Sequence, residues 1–406
     1  MNSMKKKKNV FYVTEAFPHN DHGGASLTSL NISKILHDMY NVILILIDNG
    51  KEKNFNKINQ KLFKKVLVIK YIPSKKFIYS TDNYLFGVNF QKKIFNMSKI
   101  FLPEIIFSYG FNSLEAISKI DKPKIGLVGD PLYLPLQYRK KEIIRNISVS
   151  NLIKSIRFLL RFYLIDYFVL KKLKKKINLV VRRFQFVGCF SHHHAKYDLD
   201  CEYVKTPLIQ KSTRNLINKS NNKLNLAHVG HLKGTVTLNS FYNLVNIIVP
   251  AILNKIEKKN LQINIYGKYY EDLPNILKNK ILKMGVFKFH GHIDKNFDKE
   301  LNKSDAIIVC NNIDLGNRVR ILTALSNKTL VVTHRANIRG IPELIHNYNC
   351  LVGNNIDEIV EICLNLKKNL NRNYIIKKNA FKTAQRNFSF YSFKKMIKDK
   401  IEKNFL

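Results

Sequence analysis

Cysteine, acidic side chains and long apolar runs are all scarce in this chain, and each shortage excludes something. The five cysteines, Cys189, Cys201, Cys310, Cys350 and Cys363, are an odd number without a CxxC pair. They therefore indicate neither a disulfide framework nor a zinc site of paired thiolates, and a reducing cytoplasm suits them best. No stretch reaches the roughly 18 uninterrupted apolar residues of a membrane-spanning helix, so no span is expected. Lys5 to Lys8 precede only the short run NVFYV, which closes at Thr14 and Glu15 and is too brief for a signal-peptide core. GxGxxG is missing too, which counts against an ordinary dinucleotide site.

The acidic deficit leaves 69 Lys+Arg against 29 Asp+Glu, a formal charge of +40. Such a surplus suits nucleic acid, anionic lipid or phosphorylated substrates. The lysines are dispersed through nearly every segment beside abundant Ile and Asn, the bias of an AT-rich genome, so no specific nucleic-acid partner is expected. A clustered basic stripe with stacking aromatics would be needed for that. At 406 residues the chain is long enough for two domains, each with its own core.

The first half reads as an α/β series. Asn9 to Thr14 is an uncharged strand, Ala25 to Met39 has apolar residues at helical spacing, and Asn41 to Ile47 is a second strand, which together make a parallel βαβ unit. Gly23 and Gly24 fall beyond the first strand's carboxyl end, where open sheets bind ligands; a simple tight turn explains them equally well. Val66 to Ile72, Ile105 to Tyr109 and Lys124 to Val128 follow as strands, with helices at 90–101 and 112–118. Asp130, just past a strand end, is a candidate base or acceptor contact, or else a turn-former before Pro131.

Residues 151–176 form an amphipathic helix. Leu152, Ile156, Leu159, Leu160, Tyr163, Leu164, Tyr167 and Leu170 form its apolar face, and Lys154, Arg157, Arg161 and the 171–176 lysine cluster surround it. It suits either peripheral contact with an anionic membrane or ordinary packing on the core. His192, His193 and His194, adjacent at a helix start, point in different directions and cannot together chelate one ion, so no metal site is expected. The polar stretch 211–223 reads as a linker between an N-terminal domain over 1–210 and a C-terminal one over 224–385.

In the second series, strands end at Gly230, Gly267, Gly291 and Cys310, so those ends should share one edge of a parallel sheet. A helix over Leu238 to Ile256 is interrupted near Pro250. From Cys310 a loop with Gly316 feeds a helix that begins near Arg318. Leu330 to Val332 is then a strand, and Gly340 to Glu343 turns into another helix. A glycine loop before a helix offers backbone N–H groups to an anion, and Lys233, Lys268, Arg318 and Arg320 add charge along the same edge. That edge is a candidate seat for a diphosphate.

The order of these signals resembles the GT-B glycosyltransferases of the group 1 type. The resemblance spans most of the chain and is strongest from Leu226 to Leu351, where HVGHL, INIYGK, VFKFHGHI, SDAIIV, GNRVRILTAL, LVVTH and GIPELIHNYNCLVG carry it. It implies two Rossmann-like domains with parallel sheets facing across a cleft, and a last segment, 386–406, returning toward the first domain. It implies a cytoplasmic enzyme, peripheral at most, that moves a sugar from a nucleotide-sugar to a glycan or lipid-linked acceptor, commonly with retention and without a metal or other cofactor. By the same resemblance Gly23 and Gly24 approach the donor diphosphate, and His231 stands where the family places a basic residue after Gly230, with Lys233 beside it; Gly267 and Gly316, at the same strand edge, are candidate donor contacts with them. Two family glutamates fall on Leu315 and Thr323, so both carboxylates are missing. That departure keeps a second reading open, a GT-B-like protein that binds a nucleotide-sugar or glycan without transferring it. Asp130 would orient or deprotonate the acceptor hydroxyl.

Overall fold

The computed structural model describes residues 7–19, 23–48, 55–71, 84–145, 152–208, 222–293, 297–316 and 319–405. Arg318 and most of the expected linker lie outside the described residues. The chain divides into two compact units, one formed by Met1–Val204 with Lys394–Leu406 and the other by Lys205–Phe393.

The first unit is a seven-stranded sheet of β1 (Asn9–Thr14), β2 (Asn41–Asp48), β3 (Lys65–Lys70), β4 (Ile105–Tyr109), β5 (Lys124–Val128), β6 (Phe186–Cys189) and β7 (Glu202–Tyr203), in the order β3-β2-β1-β4-β5-β6-β7. Every pairing is parallel, with Val10 opposite both Val42 and Ile105. The runs VFYV and VILILI have no polar alternation because helices cover both faces of such a sheet, and from Val10 to Val13 every residue is fully buried. Strand order reverses between β1 and β4, which makes the carboxyl ends of these strands the natural ligand edge. The helical part of Lys394–Leu406 belongs to this unit, with Ile397 fully buried and Lys394 and Lys400 paired to Asp38 and Glu202.

The second unit repeats the plan with six strands: β8 (Leu224–Val229), β9 (Leu261–Tyr266), β10 (Phe287–Gly291), β11 (Ala306–Val309), β12 (Val331–His334) and β13 (Leu351–Gly353). Their order is β10-β9-β8-β11-β12-β13, all parallel, with the reversal between β8 and β11. The helical stretch Thr235–Leu253 is long and apolar enough to cross a membrane, yet Phe241, Leu244, Val245, Ile248, Val249 and Ile252 are fully buried in this unit's core. Pro250 does not interrupt it. A π-turn over Leu244–Ile248 immediately precedes Pro250, which then occupies the opening turn of Val249–Leu253, where a missing N–H costs little.

A second expectation also fails. Gly340 to Glu343 does not lead into a helix but into turns closed by an isolated bridge between His346 and Cys350. Buried Asn349 takes the backbone groups that a helix would need: its Oδ1 accepts from Ile345 N at 2.8 Å, and its Nδ2 donates to Glu343 O at 2.7 Å and Thr383 Oγ1 at 3.0 Å. β13 follows, three residues long and too short to carry a periodicity of its own.

Candidate functional site

At the carboxyl edge of the second sheet, β8 and β9 end in loops that are zipped together. Gly230 N donates to Tyr266 O at 2.9 Å and Leu232 N to Lys268 O at 3.1 Å. A Cβ on Gly267 would fall 2.1 Å from Gly230 O, so only glycine permits this approach. Gly230 itself has φ 124°, a left-handed conformation that disfavours a side chain. The turn leads through His231 to Gly234, the N-cap of a helix that begins at Thr235 and has no acidic residue in its first turn.

Arg320 reaches this turn from the helix Val319–Ser326. Its Nη1 donates to Val229 O at 2.9 Å and Thr237 Oγ1 at 3.2 Å, and a Cβ on Gly230 would lie 3.4 Å from that nitrogen. One arginine therefore both staples β8 to its following helix and places a fixed positive charge beneath Gly230. The same charge, after burial, helps drive the His228 imidazole down to about 3; His228 lies fully buried within β8. Lys233 leans to Asp272 at 2.8 Å and lies 4.1 Å over the Tyr269 ring, while Lys268 is exposed. His231 is half-buried with its ring 6.0 Å from that of Tyr269. Gly316, at φ 82°, lies in the loop after β11, Thr323 is half-buried in the helix Val319–Ser326, and Leu315 is buried. No carboxylate stands at either of the last two positions.

At the matching edge of the first sheet, Gly23, at φ 87°, caps the helix Gly24–Met39, and Thr28 Oγ1 donates to Gly24 O at 2.8 Å. Glu15, one residue past β1, is a partner that sequence reading missed. Its Oε2 accepts from Asn112 Nδ2 at 2.6 Å and its Oε1 from Asn112 N at 3.3 Å, across the switch between β1 and β4. Gly110, at φ 101°, makes room for it, since a Cβ there would come 2.2 Å from Glu15 Oε1. Burial raises the Glu15 carboxyl, and the bonds from Asn112 oppose that rise.

Asp130, beyond β5, has company that the sequence did not reveal. His194 Nε2 lies 3.5 Å from Asp130 Oδ1, and His194 Nδ1 lies 2.8 Å from Asp198 Oδ2. Tyr133 Oη donates to Asp198 Oδ1 at 3.0 Å. The buried imidazole thus sits between two carboxylates, one locked by a tyrosine and the other, Asp130, more exposed at the ligand edge. Burial pushes the Asp198 carboxyl up, but bonds from His194 and Tyr133 and the charges of His194 and Lys174 hold it below its usual value. Of the three histidines, His192 turns to Tyr203, whereas ligand atoms of His193, His194 and Asp198 all lie within 4.8 Å of one another. The expectation that the histidines diverge thus holds for His192 and fails for the other two. The clue was the four-residue step from His194 to Asp198, one helical turn.

Two parallel sheets of 3-2-1-4-5-6 type order, each with glycine loops at its carboxyl edge, make the fold that of the GT-B glycosyltransferases. No family model and no curated protein matches the sequence. Among solved structures the chain is similar to HepE from Anabaena in complex with UDP and glucose, at 15% identity and TM-score 0.66 over 98% of this chain and 99% of that one. It is similar as well to sucrose-phosphate synthase from Thermosynechococcus elongatus, at 9% identity and TM-score 0.68 over 98% and 99%. The lipopolysaccharide outer core galactosyltransferase WaaB aligns at 11% identity and TM-score 0.61 over 97% and 99%.

Proposed function

We propose that the chain is a glycosyltransferase that takes a sugar from a nucleoside-diphosphate donor and passes it to a glycan or lipid-linked acceptor in surface-polysaccharide synthesis. The observation that carries this reading is the Gly230–Gly267–Arg320 arrangement at the switch point of the second sheet. Its backbone approaches closely, it lacks acidic groups in the following helix turn, and it holds the half-buried Arg320 cation, features that suit a departing diphosphate. HepE, solved with UDP, supports a uridine nucleotide as the first donor to try. Cleavage of the bond from the anomeric carbon to the diphosphate leaves charge on the phosphate oxygens. Arg320, Lys268, Lys233 and the N–H groups after Gly230 would take up that charge without a metal, and the outcome would be retention. Asp130, backed by His194, would orient the acceptor hydroxyl in the first unit. The protein would work in the cytoplasm, on acceptors presented at the inner face of a membrane.

A second reading is a binder that no longer transfers, favoured by buried Leu315 and by Thr323, where glutamates would hold the donor. A turnover assay with UDP-sugars separates the two. Transfer predicts release of UDP that rises on adding a glycan acceptor and falls about 10²- to 10⁴-fold in Asp130→Asn. Binding of UDP with no release under any acceptor establishes the second reading.

A further inference from the structure

The helical segment from Leu152 to Val181 has two apolar sides, and the fold uses only one of them. Phe162, Val169, Leu170, Leu173 and Ile177 are buried in the first unit. On the opposite side Ile153, Ile156, Leu160, Leu164, Tyr167 and Phe168 are exposed, with Ile153 at 68%, Leu164 at 69% and Phe168 at 59%. Their three- and four-residue steps form one stripe. The π-turn at Phe162–Asp166 widens the helix midway, which offsets the drift that four-residue steps accumulate on a 3.6-residue helix and keeps Leu160, Leu164 and Phe168 together. A helix that is apolar all round belongs in a core or in lipid, and here the second side has no core to enter.

Charge identifies what covers it. Arg157, Arg161, Lys171, Lys172, Lys174 and Lys175 are exposed along the same segment. Its one acidic residue, Asp166, is buried and lies 3.8 Å from Arg161. We propose that this face is a docking surface for an anionic lipid bilayer, with the apolar stripe sunk to the acyl boundary, Tyr163 and Tyr167 at headgroup level and the basic residues on the phosphates. A second copy of the chain is the poorer occupant, because its matching face would bring the same six cations against these. A nucleic acid would satisfy the cations and leave the two leucines and two isoleucines in water. The proposal gives the reading of an acceptor at a membrane its point of contact, yet it needs neither donor nor transfer, so either can fail alone.

The chain contains no tryptophan, so Leu164→Trp places a single reporter on the stripe. With vesicles of equal parts phosphatidylglycerol and phosphatidylcholine, the full chain carrying this substitution should co-sediment and its emission should shift to the blue. Phosphatidylcholine alone should do neither. In the otherwise unaltered chain, Leu160→Ser with Leu164→Ser should cut partitioning into the anionic vesicles by at least about tenfold at an unchanged melting temperature. Each basic residue that loses its lipid contact should cost about fivefold more. No sedimentation with anionic vesicles overturns the proposal. So does sedimentation without an emission shift, or equal partitioning of the double variant, since then the dispersed charge does the binding. Loss of a dimer in the double variant overturns it in favour of a second copy.

Discussion

Gly267 shows how little freedom the carboxyl edge of the second sheet has. Its φ is ordinary, so glycine is required there by the 2.1 Å that would separate a Cβ from Gly230 O, not by conformation. Gly267→Ala must push the β8 and β9 loops apart; a destabilisation of about 1–3 kcal/mol and loss of the UDP-induced rise in melting temperature are expected, read together in a thermal-shift titration. His228 makes a different prediction. Burial, with the Arg320 charge, holds its imidazole neutral down to about 3, and neither ring nitrogen has a hydrogen-bond partner among the described residues. The unfolded chain takes up a proton near pH 6.5 that the folded chain refuses. The contribution is therefore complete above that pH and is lost as pH falls, at up to about 1.4 kcal/mol per pH unit. Urea denaturation between about pH 6.5 and about pH 4 should show a shallower loss for His228→Leu than for the natural chain; identical slopes would refute this. Gly230, Gly267 and Arg320 were legible in the sequence because glycine after a strand and arginine on a helix start are local signals. Glu15 with Asn112, His194 with Asp130, and Tyr133 with Asp198 were not, because each pair joins residues far apart in the chain.

At the scale of elements, the long apolar strands could be read directly, since burial on both faces leaves an unbroken run such as VILILI or AIIV. Mistakes arose where a polar side chain or a π-turn outweighed local preference. Asn349 holds the stretch from Glu343 to Ile345 out of a helix through three bonds, so Asn349→Ala leaves buried groups unpaired and should cost about 2–3 kcal/mol, measurable by chemical denaturation. A cost below about 0.5 kcal/mol would mean that the turn is held by other contacts. Pro250 looked like a break because its missing N–H is costly in a regular helix; the π-turn upstream removes that cost. The segment from Leu152 to Val181 was legible as amphipathic, but the sequence could not say that a second apolar side stays exposed. Only packing decides which stripe the core takes.

At the scale of the molecule, the two units share one strand order and one kind of ligand edge, and the chain closes by sending Lys394–Leu406 back to the first unit. Ile397→Ala in that segment should cost the first unit about 2–4 kcal/mol through the cavity it leaves, seen as earlier hydrogen exchange in the helix Gly24–Met39 and in β7, the elements that Lys394 and Lys400 reach. Length alone suggested two domains, whereas a return of the last segment to the first was implied only by the resemblance. The central claim is that a nucleoside diphosphate rests on the strand tips of the second unit. Hydrogen–deuterium exchange with and without UDP tests it most directly. The account predicts protection concentrated in residues 229–237, 266–270 and 311–323. Protection confined to the first unit, or none with UDP, ADP or GDP at millimolar concentration, would contradict it.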